Sequence, residues 1–222
     1  MKKIGFTLAE ILITLTIVGV VAAITLPTLM SDTTSTQIGP KLAKAVAMFE
    51  QANETLLSEN SIDTLTDGGY TKVEDETAYG NELSKYLKIS KIDYHTETGK
   101  SYASHGPNST SGTAYLAKDG IVYIISTDTV WEKTSSTGYK NIAGNVWIDI
   151  NGVANPNIMA TDVFAFLLMD DGSLVPLGSS MFTEVTATQY HWKTLCNVNE
   201  TPSDSLFCAG HIFENNLKVL YK

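Results

Sequence analysis

Lys2-Lys3-Ile4-Gly5-Phe6-Thr7-Leu8-Ala9-Glu10-Ile11-Leu12-Ile13 opens this chain. No charged residue follows until after Met30. At about 1.5 Å per residue the run Ile11 to Met30 makes about 30 Å of helix, the hydrocarbon thickness of a bilayer. Lys2 and Lys3 precede it, so the positive-inside rule leaves the tip in the cytoplasm and carries everything after Ser31 across. The run is not uniformly apolar. Thr14, Thr16, Thr25 and Thr28 interrupt it, with Gly19 and Pro27. Hydroxyls can bond back to helix carbonyls, and glycine lets helices approach closely. A helix that packs among other helices uses these features; a lone anchor needs none.

Glu10 is the sharpest departure. A carboxylate within an apolar helix costs on the order of 3 kcal/mol by insertion scales, less near the interface. No lysine or arginine lies between Lys3 and Lys41, so the span itself offers no cation. Removal of residues 1–5 would create one, the free amine of Phe6, one helical turn from Glu10. Against this stand two plainer readings. Glu10 can sit solvated among headgroups, and Val21-Ala22-Ala23 has the small residues of a signal-peptidase site. The carboxylate and the apolar run beyond Ala23 weigh against ordinary signal-peptide cleavage.

The segment Gly5-Phe6-Thr7-Leu8-Ala9-Glu10-Ile11-Leu12-Ile13 resembles the type IV prepilin leader and N-methylation signal, shared by type IV pilins and by type II secretion and competence pseudopilins. The likeness covers roughly residues 2–30. It implies cleavage by a prepilin peptidase between Gly5 and Phe6, and methylation of the new Phe6 amine. It also implies that Glu10 meets the amine of a neighbouring subunit during filament assembly. The division implied is a leader (1–5), a transmembrane and filament-core helix (6–30) and a pilin-like head (31–222). The head would lie outside the cytoplasm, anchored by a single pass in the inner membrane. Later it would stand in a pilus or pseudopilus in the periplasm or at the cell surface. Partners implied are copies of this chain, other pilin-like subunits, the peptidase and the membrane.

Composition agrees with an exported head. The chain has 222 residues, 43% of them hydrophobic, and a formal charge of −9. All fifteen cationic residues are scattered lysines. Nucleic-acid binding normally needs a basic patch, often with arginine forks, so no nucleic acid is expected. Cys196 and Cys208 are the two cysteines, in a polar, loop-like stretch; export makes a disulfide between them the natural reading.

Beyond the membrane, Ile38, Leu42, Ala45, Phe49, Ala52 and Leu56 recur every three or four residues. That stripe predicts an amphipathic continuation of the helix to about Ser58, bent or broken at Gly39-Pro40 and laid on a sheet. Asn60–Gly69 reads as turns, Asn81–Ile89 as a short helix and Thr96–Gly112 as a loop. Strand signals follow. Thr113–Lys118 and Ile121–Thr127 flank Asp119-Gly120, a hairpin signal. Asn145–Ile150, Val163–Met169 and Ser173–Leu177 follow without intervening helices, which favours an antiparallel sheet. The fold expected is therefore α+β, a long N-terminal helix packed on an antiparallel sheet, pilin-like.

Asp149, Asn151, Asn157 and Asp162 surround Gly152 in one segment. Oxygen side chains about a glycine turn suit a hard cation such as calcium, although the spacing is not that of an EF-hand. An Asx-rich loop without metal has the same composition. His95, His105, His191 and His211 lack zinc spacing, and no H-E-x-x-H, G-x-S-x-G or phosphate loop occurs, so no enzyme is expected. Trp131, Trp147 and Trp192 read as core or rim residues. The reading that results is a structural subunit of a pilus or pseudopilus. The alternative is a membrane-anchored or secreted adhesin-like binding protein that uses its N-terminus only for export.

Overall fold

A computed structural model describes residues 7–71, 76–94, 112–127, 142–154, 157–180, 196 and 205–219, with the backbone alone for 25–35 and 76. Two compact units emerge, Met1–Gln37 and Ile38–Lys222. Helix α1 (Leu8–Asn60) contributes to both. Its helical assignment passes through Gly39-Pro40 without interruption, as one long helix, so of the expected bend or break the break does not occur. One proline removes one backbone bond. Here the neighbouring side chains Ile38 and Leu42 are buried, and Gly39 lies directly under the backbone of Leu217. A Cβ at Gly39 would stand 1.8 Å from the Leu217 carbonyl oxygen, so this crossing requires glycine.

In the second unit, α2 (Glu76–Leu87) leads into β1 (Ile89–Ile92). Then come β2 (Thr113–Ala117), β3 (Val122–Ser126), β4 (Ile142–Asp149), β5 (Val163–Met169) and β6 (Leu174–Pro176). A short α3 (Cys208–Glu214) completes the order. The strands form one antiparallel sheet in sequence order, β1-β2-β3-β4-β5-β6. The α+β class with an antiparallel sheet is thus as the sequence suggested. The Asp119-Gly120 hairpin is present, with Gly120 at φ 87°. The Asn60–Gly69 turns are present as well, while the expected Thr96–Gly112 loop lies outside the described residues except at Gly112.

Every member of the sequence stripe, Ile38, Leu42, Ala45, Phe49, Ala52 and Leu56, is buried. They share a core with Tyr79, Leu83 and Leu87 of α2 and one sheet face, including Tyr123, Ile125, Val146, Ile148, Phe164 and Phe166. Polar groups inside it are joined. The Tyr123 hydroxyl donates to Ala45 O at 3.1 Å. Tyr79 donates to Asn53 Oδ1 at 2.7 Å, and Asn53 Nδ2 donates to Gly172 O at 2.8 Å, tying α1, α2 and the β5–β6 turn together. Side chains alternate between faces along a strand, and the second face is buried too. Val122, Ile124, Trp147, Val163, Ala165 and Leu167 pack there with Leu206 and Phe207. Trp147 is therefore a core residue, whereas Trp131 and Trp192 lie outside the described residues.

Candidate functional site

Thr7 precedes the first turn of α1 and Glu10 is its third helical residue. The Thr7 amide and hydroxyl both donate to Glu10 Oε2 at 2.8 Å, and the Glu10 amide donates to Thr7 Oγ1 at 3.3 Å. This is a capping box: each side chain satisfies a helix-start amide of the other residue. Thr7 is a neutral partner and supplies no cation. The signal was present in the sequence as Thr7-x-x-Glu10 before an apolar run. Gly5 and Phe6, the expected processing residues, lie outside the described residues.

Past Glu10 the helix is apolar and uncovered. Leu8, Leu12, Leu15, Val18 and Ile24 are each more than half exposed, Leu8 at 80%. Thr14 Oγ1 donates back to Glu10 O and Ile11 O at 2.9 Å, and Thr16 Oγ1 to Leu12 O at 2.8 Å. The hydroxyls thus need no water, which suits an apolar surround. Nothing stands within 4 Å of a Cβ built on Gly19, so that notch is open. Among the described residues no helix is long and apolar enough to cross a membrane. The side chains of Thr25 to Met30, the far part of the expected span, fall outside those residues.

Three features of this amino-terminal stretch now decide what it resembles: a capped Glu10, an exposed apolar helix behind it, and a basic tip before it. Residues 1–26 match the prokaryotic N-terminal methylation motif. That motif is the prepilin-type cleavage and methylation signal, and it marks structural, pilin-like precursors. No curated protein and no solved structure matches this chain. The matched motif ends within α1, and residues 27–222 carry no such likeness.

In the head, the structure brings Asp149, Asn151, Asn157 and Asp162 together. Asp149 ends β4 and is fully buried. Its Oδ1 accepts the amides of Asn151 and Gly152 at 3.0 Å, and its Oδ2 accepts the Tyr94 hydroxyl. Asp162 Oδ2 accepts Asn157 N at 2.8 Å and Asn151 Nδ2 at 2.9 Å, and its Oδ1 accepts Ile158 N. Burial raises both carboxyls above the usual range, Asp149 to about 7, with the charge of Asp162 adding to that rise. Neither forms an ion pair with a lysine among the described residues.

Asn157, only 3% exposed and at φ 51°, turns the end of its carboxamide toward three oxygens. Its Nδ2 donates there to Asp149 Oδ2 and Gly152 O at 3.3 Å, and to Ala154 O. Asn151 Oδ1 is buried without a hydrogen-bond donor among the described residues. The Asp149 carboxylate and the orphaned Asn151 carbonyl are the donor type a hard cation takes, while Asn157 presents its nitrogen. Turning the Asn157 amide would add its oxygen. Asp162 points at N–H groups and serves to close the loop. Gly152 is required here, since a Cβ would stand 2.1 Å from Gly120 O.

Cys196 and Cys208 form a disulfide, with Cα atoms 4.8 Å apart. Cys208 is not in a polar loop, as its neighbours in sequence suggested, but opens the buried helix α3. A bridge closing so short a loop stabilises by about 3 kcal/mol in the chain-entropy account. His211 lies in α3 and is buried, which lowers its pKa; the other three histidines lie outside the described residues. No group of three or more His, Cys, Asp or Glu gathers among the described residues.

Proposed function

We propose that this chain is a structural subunit of a type IV pilus or a related pseudopilus. The methylation motif at residues 1–26 carries the reading, because it adjoins a helix with exposed apolar side chains. In this account residues 1–5 are a leader, 6–30 an anchor and later a filament core, and 31–222 a pilin-like head. A prepilin peptidase cuts after Gly5, and Phe6 is N-methylated. Before assembly the subunit spans the inner membrane once, with its head outside the cytoplasm.

Glu10 has two roles in sequence. In the single chain its carboxylate caps Thr7. In the filament the same carboxylate meets the Phe6 amine of a neighbour, which supplies the cation the span lacks. A buried charge is tolerated when a partner neutralises it. The head contributes a surface and no catalytic role.

We propose also that the Asp149–Asp162 loop holds one calcium ion, with Asp149, Asn151 and Asn157 as side-chain ligands and Asp162 closing the loop. The buried, unneutralised carboxylates and the orphaned Asn151 oxygen support this reading.

The filament reading is tested by shearing. Cells expressing the full chain should release it in the sheared or pelletable filament fraction, dependent on the prepilin peptidase. A chain secreted as free monomer, independent of that peptidase, would favour the export-only alternative.

A further inference from the structure

The head carries opposite charge at two diagonal corners of its sheet. Lys88, Lys91 and Lys118 are exposed, and none forms an ion pair among the described residues. Lys88 and Lys91 bracket the start of edge strand β1, and Lys118 sits in the β2–β3 turn beside it. Lys88, Ser90 and Lys118 line one shallow groove with Gly120. Among the described residues β1 is an edge strand of the sheet.

The other corner is acidic. The loop after α1 carries Asp63 and Asp67, and the β5–β6 turn carries Asp170 and Asp171. These segments are bound together: Thr66 N and Thr66 Oγ1 donate to Asp170 Oδ1 at 2.8 Å, and Leu65 N to Asp170 O at 2.7 Å. Asp171 Oδ1 accepts Ser173 N at 3.0 Å and Ser173 Oγ at 2.6 Å. The Asp170 and Asp171 carboxylates are thus held in place before any partner arrives, which lowers the ordering cost of a contact. Residues 61–71 and 170–173 contain no lysine.

Topology sets the corners apart in both directions of the sheet. β1 is one edge, and the β5–β6 turn lies at the other. Val122, next to the basic turn, pairs with Asp149, whereas Met169, next to the acidic turn, pairs with Ile142 at the opposite end of β4. Five strand spacings of about 4.8 Å separate the edges by roughly 24 Å. One head therefore cannot satisfy its own corners. Two different patches on identical chains that meet head to tail, with a rotation that does not close, repeat as an open series.

We propose that the Lys88/Lys91/Lys118 corner of one head docks on the Asp63/Asp67/Asp170/Asp171 corner of the next copy of this chain. The occupant is a second copy because the complementary charge lies on the same chain. The proposal rests on the filament reading for its setting, yet its chemistry is confined to the head.

Zero-length carbodiimide coupling of the full chain in native membranes and filaments reads it directly, since that reagent joins a lysine amine only to a carboxylate in contact. Expected are peptides linking one of the three lysines to one of the four aspartates, within a ladder of dimers and higher multiples. Such a link is intermolecular by distance alone. Chains with Lys88→Glu, Lys91→Glu and Lys118→Glu should lose at least nine-tenths of the ladder. So should chains with Asp67→Lys, Asp170→Lys and Asp171→Lys. Coexpression of the two variants should restore a mixed dimer. Native filaments that couple through other residues, or variants that keep the ladder, would overturn the corner contact while leaving the filament reading intact. A ladder in membranes of cells that release no filament would uphold the contact and count against the filament reading.

Discussion

A full-length chain carrying Glu10→Val is expected to be cut and membrane-inserted, yet depleted from filaments by on the order of 100-fold or more. Removing one partner of a buried ion pair costs about 3–5 kcal/mol, and each 1.4 kcal/mol is tenfold. The capping box makes a second substitution informative. Glu10→Gln keeps the capping chemistry, since glutamine serves at the third helical position as glutamate does. It removes the charge that the Phe6 amine would need. If Glu10 acts through charge, Glu10→Gln fails to assemble nearly as fully as Glu10→Val. If Glu10 serves only as a cap for Thr7, Glu10→Gln assembles normally and the proposed role falls. Incorporation is measured by tagging the variant in cells that also make the native chain.

Chelator in a metal-free buffer is expected to lower the melting temperature of the purified full chain by about 5–10 °C, reversed by calcium. Occupancy at a hundred times the dissociation constant stabilises by about 2.7 kcal/mol, and a kilocalorie moves the midpoint of a chain this size by about 2–4 °C. Without a cation, burial holds the Asp149 carboxyl at about 7 in the fold against an ordinary 3.8. The folded state then binds the proton more tightly than the unfolded state. Stability in chelator is therefore highest below about pH 4, falls through the window to about pH 7, and is flat above it. Calcium should lift the high-pH side most, because it replaces the proton. Asp149→Asn should abolish the calcium response and reduce that pH slope, leaving the smaller part that the raised Asp162 carboxyl contributes. A melting temperature indifferent to chelator at pH 8 would remove the ion from the account.

The sequence was most legible where periodicity and turn chemistry spoke together. The helical stripe from Ile38 to Leu56 and the Asp119-Gly120 hairpin both stand where their residues put them. Val163–Met169 matched its strand limits. Strand β1 was missed because Ile89-Ser90-Lys91-Ile92 is short and polar, and Ile89 completed the apparent pattern of the preceding helix. Only pairing with β2 makes it a strand, and that contact is not local. The beginning of β4 was missed for a related reason. Its register shifts between Ile142 and Gly144, where a Cβ on Gly144 would meet Ser126 O at 2.3 Å.

The second buried face was written in Val122-Tyr123-Ile124-Ile125, which does not alternate between apolar and polar. A continuous apolar run signals burial on both sides of a sheet. At the amino terminus, Thr7-x-x-Glu10 before an apolar run encodes a capping box within the methylation motif itself. In the head, the four oxygen-bearing residues of the loop were found from composition, but their unequal roles depend on which N–H groups face them. No residue spacing encodes that.

The central claim is that cleavage creates the amine that Glu10 awaits. The mature N-terminus tests it most directly, by intact mass and terminal sequencing of the native chain. The account predicts a chain that starts at Phe6 with one methyl group on its amine. A chain that retains Met1, or one that starts at Ile24 after ordinary signal-peptide cleavage, would contradict it.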